Sequence, residues 1–209
     1  MRRIILCIAL GISLLLVLVP VSFAVTRSFV VSASVPRATG VGINAFKVDS
    51  ATNAFTPVAG TNLSFDPMVF NTANGIYLPD HYFAIDVAAI GGAGSPDVTV
   101  AYSEGANPNS PGKGLGWKST STFVKVTGPT GSQTETGLTA HGPKKLLKDL
   151  IGEFINDTEI TGGFLRIYIG VVTHDPAQRF PDPGSGVPFT NGDNPGTYDG
   201  TLVISATVA

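Results

Sequence analysis

Apolar and polar residues alternate along most of this chain. The clearest run is Pro195 to Ala209, PGTYDGTLVISATVA, in which Tyr198, Leu202, Ile204, Ala206 and Val208 are apolar while Asp199, Thr201, Ser205 and Thr207 are polar. A two-residue period places the two sets on opposite faces of an extended strand, so the segment predicts a half-buried β-strand. Its apolar face needs a sheet to lie on and its backbone needs ladder partners, which assigns it to a packed sandwich. The same period recurs at Phe29, Val31, Ala33 and Val35, ended by Pro36, and again at Val41, Ile43 and Ala45. Phe46 and Val48 fall on the other parity, which predicts a bulge or strand end near Ala45. Further strands are expected around Phe83, Ile85 and Val87, around Val98, Val100 and Tyr102, and at Val124 and Val126. Phe164 to Val172 is apolar on nearly both faces, the pattern of a central strand covered on both sides.

One segment departs from this period. Between Lys144 and Asn156, Leu146, Leu147, Leu150, Ile151, Phe154 and Ile155 recur at three- and four-residue intervals, predicting a short amphipathic helix that closes one end of the sandwich. Pro143 suits its first turn, and Gly152 weakens it. The polar stretches Ser103–Gly116, Gly128–Pro143 and His174–Gly196 read as loops of a single domain. The fold class expected is all-β: an antiparallel sandwich, immunoglobulin-like or jelly-roll-like, with one short helix near 144–156.

The amino terminus has a different character. Arg2 and Arg3 precede an uncharged apolar run from Ile4 to Val19, then Pro20 and Ser22-Phe23-Ala24. This is the layout of a secretory signal peptide, residues 1–24, with cleavage expected after Ala24 and no stable membrane insertion afterwards. The domain then runs from Val25 to Ala209. The only cysteine, Cys7, leaves with the signal, so disulfides and thiolate metal sites are excluded and stability must come from the core. Removing Arg2 and Arg3 leaves 11 basic against 15 acidic residues, which argues against nucleic acid as a partner. The 25 glycines and 15 prolines, with only 13% charged residues against about 25% in ordinary proteins, fit closely spaced strands and many turns.

Candidate chemistry is sparse. His81, His141 and His174 lie in no catalytic motif, and turn or surface positions explain them; neither a GxSxG elbow nor an HExxH helix is present. The expectation is a non-enzyme with no cofactor and no metal site. Asn191-Gly192-Asp193-Asn194-Pro195-Gly196, with Asp182 and Asp199 nearby in sequence, offers oxygen ligands of the kind calcium prefers, but these are also the residues that tight turns need. Trp117, the one tryptophan, either packs on the core or stacks on a sugar as a ligand contact.

Two groups of segments carry a family likeness. Ser28-Phe29-Val30-Val31-Ser32-Ala33-Ser34-Val35, then Val41-Gly42-Ile43-Asn44 and Leu63-Ser64-Phe65-Asp66-Pro67, resemble the opening of spore coat protein U domains and of the related archaic chaperone-usher pilins. Leu165-Arg166-Ile167-Tyr168-Ile169-Gly170-Val171, and Pro195-Gly196-Thr197-Tyr198-Asp199-Gly200 leading into the last strand, resemble their closing half. The resemblance implies an incomplete immunoglobulin-like sandwich completed by a strand from a neighbouring copy, with Phe29, Val31, Ala33 and Val35 as the donated side chains. It also implies assembly into a surface fibre, helped by a periplasmic chaperone and an usher. Pro36 to Gly40 stands where the family has a cysteine, and the middle third is longer, which leaves a self-contained sandwich open. The corresponding alternative function is a monomeric secreted binding module for carbohydrate or another surface ligand.

Overall fold

A computed structural model describes residues 40–90, 97–108, 114–131, 139–140, 144–156, 163–174 and 186–207. The expected signal peptide, the donor candidate 28–35, His141, Pro143 and Val208 lie outside the described residues. Among the described residues there are twelve strands, β1 (Val41–Asp49), β2 (Phe55–Pro57), β3 (Met68–Asn71), β4 (Ile76–Pro79), β5 (His81–Ala89), β6 (Asp97–Glu104), β7 (Ser119–Thr127), β8 (Thr139–Ala140), β9 (Lys145–Leu146), β10 (Ile151–Asn156), β11 (Gly163–Val171) and β12 (Gly200–Thr207), and one short α-helix, α1 (Leu115–Lys118). They form a large sheet in the order β2-β1-β5-β11-β7-β8, with β9 also on β7, a three-stranded sheet β10-β6-β12, and the hairpin β3-β4. Every ladder is antiparallel. The fold is an all-β sandwich.

The first core lies between the two larger sheets. Phe83, Ile85 and Val87 of β5, Leu165, Ile167 and Ile169 of β11, and Phe123 of β7 meet Val98 and Val100 of β6, Leu202 and Ile204 of β12, and Ile155 of β10. Those of β5, β6 and β12 are the alternating positions that the sequence pattern marks, and each large side chain taken out of water contributes about 1.5–3 kcal/mol. A second cluster occupies the opposite face of the large sheet: Val48, Tyr82, Ala84, Val124, Val126, Phe164 and Tyr168, with Phe55 and Ala88 at its margin. Because both faces are covered, β1 runs without a bulge. Its register with β5 is unbroken from Val41↔Ala89 to Asp49↔His81, so the parity change at Phe46 and Val48 marks a second core rather than an interruption.

The expected helix at 144–156 is not formed. β9, a 3-10 turn (Leu147–Asp149) and β10 occupy the segment. Leu146, Leu147, Leu150 and Ile155 are buried, whereas Ile151 and Phe154 are 90% and 57% exposed, so the helical stripe is not the buried set. The register of β10 on β6 slips between Ile151 and Glu153, around Gly152 at φ 111, a conformation that glycine adopts without strain. The spacing of three and four arises from an extended segment, a tight turn and a bulge placed end to end.

Candidate functional site

Two open edges border the first core. β12 pairs with β6 over its whole length, from Gly200↔Glu104 to Thr207↔Asp97, and its far edge has no partner strand among the described residues. On the large sheet β2 covers only Phe46 to Val48 of β1, so the outer edge from Val41 to Asn44 also lacks a ladder partner among the described residues. Beside β1 runs a groove of about 440 Å³ whose apolar lining includes Ile43, Ala45, Val58 and Leu63, with Asn44, Thr61 and Thr130 as its polar members. Ile43, Ala45, Val58 and Leu63, together with Ala206 of β12, pack against the first core yet remain only partly buried. A strand edge with unpaired amides beside half-covered apolar side chains can accept one more strand.

A second concavity, about 580 Å³, lies where residues 62–66, Tyr77 of β4 and the loop 189–199 meet. Its walls are joined by backbone: the Tyr77 amide donates to the Phe189 carbonyl at 2.8 Å, and Ile76 bridges Thr190. Behind the loop Lys118, 2% exposed, donates from Nζ to the Pro188 carbonyl at 3.1 Å and to Asp193 Oδ2 at 3.0 Å, with the ammonium 4.9 Å from the Phe189 ring centre. Burial alone would raise the Asp193 carboxyl, but the Lys118 hydrogen bond and the Thr190 amide outweigh it and hold the group below its ordinary value. Tyr198 donates to the Asn194 carbonyl at 2.9 Å, and its ring meets Phe189 edge-on at 4.8 Å. The loop is thus held by the Lys118–Asp193 ion pair and by an edge-to-face ring contact. Turn residues alone do not account for it.

The residues singled out from the sequence do not converge. Trp117 sits on α1, 37% exposed, with the Lys148 ammonium 4.3 Å from its ring centre, so a cation of the chain itself already occupies one face of that indole. His174 lies three residues beyond the end of β11, at φ 54, and is exposed. His81, expected at a turn or surface, is instead buried as the first residue of β5: Nε2 meets the Ser64 carbonyl at 2.8 Å, Nδ1 meets the Asp80 carboxylate, and Phe65 stacks on the ring. That hydrogen bond from His81 holds the Asp80 carboxyl below its ordinary value. Both ring nitrogens are occupied by fixed partners, so His81 ties residue 64 to the sheet. In the 191–196 loop, Asp193 is taken by Lys118 and Asn194 Nδ2 by the Pro108 carbonyl at 3.2 Å. Among the described residues no group of three or more His, Cys, Asp or Glu side chains could hold a metal ion.

Three features escaped the sequence reading: the ion pair Lys118–Asp193, the ion pair Asp86–Arg166 and the cleft itself. Asp86 and Arg166 were detectable, since each is a lone charge within an apolar strand and a buried charge must be paired. Lys118 carries no such signal. Comparison with protein-family models, with curated proteins and with solved structures finds no match.

Proposed function

We propose that this protein is a secreted, non-enzymatic subunit of a surface fibre, exported by cleavage after Ala24 and assembled by strand donation. The donor is the segment 28–35, whose Phe29, Val31, Ala33 and Val35 cover the rim of the first core in the next copy, while its backbone pairs with the far edge of β12. The observation that supports this reading best is the combination of an eight-residue edge with no partner strand among the described residues and the partly buried apolar residues Ile43, Ala45 and Ala206 packed against the first core. Each large donor side chain contributes about 1.5–3 kcal/mol on burial, enough with the ladder to hold a non-covalent fibre together. Other copies of the chain are the main partners, and a periplasmic chaperone and an usher follow from the family resemblance.

Electron microscopy and gel electrophoresis of exported protein test the proposal together. Fibres, and a ladder of multimers that persists in cold detergent and collapses to monomer on boiling, are the expected result. A monomer under all conditions would instead support the alternative of a solitary binding module.

A further inference from the structure

We infer that the cleft between Tyr77 and the 189–199 loop is a binding site for a neutral saccharide, a role that does not depend on whether the chain polymerises. The chemistry of the lining selects the ligand class. Tyr77 and Tyr198 supply aromatic surface, and Asn62, Asp66, Thr197 and Asp199 supply carboxamide, carboxylate and hydroxyl groups, with no Lys, Arg or His among the lining residues. An anionic ligand would meet the carboxylates of Asp66 and Asp199, with no cation among the lining residues to receive it. A cationic one would find Asp193 already neutralised by Lys118, whose ammonium lies over the Phe189 ring, leaving only the exposed carboxylates of Asp66 and Asp199, which make weak ion pairs in water. A sugar needs neither charge. Its C–H faces pack on rings, and its hydroxyls both donate to carboxylates and exchange hydrogen bonds with carboxamides. A volume of about 580 Å³ falls within the usual range for small-molecule sites. The walls are also set in advance by the Tyr77–Phe189 backbone bond, the Ile76–Thr190 bridge and the buried Lys118, so little ordering remains to oppose binding. The site excludes Trp117, which lies outside the lining with one face already covered by Lys148.

The test is calorimetric titration of the purified exported protein with glucose, galactose, mannose, N-acetylglucosamine and their disaccharides, with benzylamine as the cationic comparison. Saturable binding of at least one saccharide is expected, weakened about tenfold or more by Asn62→Ala and by Asp199→Asn and unchanged by Trp117→Ala. Asn62 and Asp199 are both exposed, so circular dichroism should find both variants folded. Three outcomes overturn the inference: no saccharide binds, benzylamine binds in their place, or Trp117→Ala abolishes binding that Asn62→Ala and Asp199→Asn leave intact.

Discussion

Arg166 and Asp86 stand directly opposite each other on β11 and β5, joined by two hydrogen bonds, Nε to Oδ1 at 2.6 Å and Nη2 to Oδ2 at 2.9 Å, and neither side chain reaches solvent. Phe55, Phe164 and Tyr168 surround the guanidinium, and the Gly131 amide donates to the second carboxylate oxygen at 2.8 Å. Burial works against the charge on Arg166, but the hydrogen bond and charge of Asp86 more than offset it and hold the guanidinium pKa above its ordinary value. The pair marks the centre of the second core.

Removing one member of this pair leaves the other charged and buried. Asp86→Asn is therefore expected to cost about 3–5 kcal/mol, read as a lowered urea midpoint at unchanged slope. Replacing both together, Asp86→Leu with Arg166→Met, should restore much of that loss. A single variant as stable as the parent would mean that this face is open to water.

The Lys118–Asp193 pair makes an acid-sensitive contribution. The folded pKa of Asp193 lies below its ordinary value of 3.8, so the folded chain binds fewer protons there than the unfolded chain near that pH. The contribution is complete above the unfolded value and is lost as pH falls through the folded one. Thermal melts from neutral pH down to about pH 2 should find the parent more stable than Asp193→Asn at neutral pH, with the gap narrowing only at the acid end. A gap that is constant across this range would contradict the assignment.

Leu150 and Ile151 are neighbours with opposite fates, 0% and 90% exposed. Leu150→Ala should cost about 2–5 kcal/mol, whereas Ile151→Ala should fall within about 0.5 kcal/mol of the parent. Comparable losses at both positions would restore the helical stripe and remove β10.

These neighbours also locate the limit of what the residue pattern reveals. The alternation at Phe83–Val87, Val98–Tyr102 and Leu202–Ala206, and the double apolar character of Phe164–Val172, each correspond to a strand with its face correctly assigned, because period and burial have a single cause there. At Leu146–Ile155 a turn and a bulge imitate a helical period. At Phe46 and Val48 the pattern is intact, but it serves a second core whose existence depends on long-range packing. β2, β3 and β4 are too short for any period to show. The segment 28–35 lies outside the described residues; the open edges of β1 and β12 were not legible, since which edges lack a partner among the described residues is a property of topology. The cleft draws on residues 62–66, Tyr77 and 189–199, distant in sequence and unremarkable one by one.

The central claim is that the segment 28–35 completes a neighbouring copy, and strand complementation measures this most directly. A chain lacking residues 25–35 is exported and purified, and a peptide of the sequence from Ser28 to Val35 is then added while thermal stability and assembly are followed. The shortened chain should be monomeric and less stable than the full chain, should regain stability with the peptide in a saturable way, and should not regain polymerisation. A shortened chain with unchanged thermal stability that ignores the peptide would contradict the account.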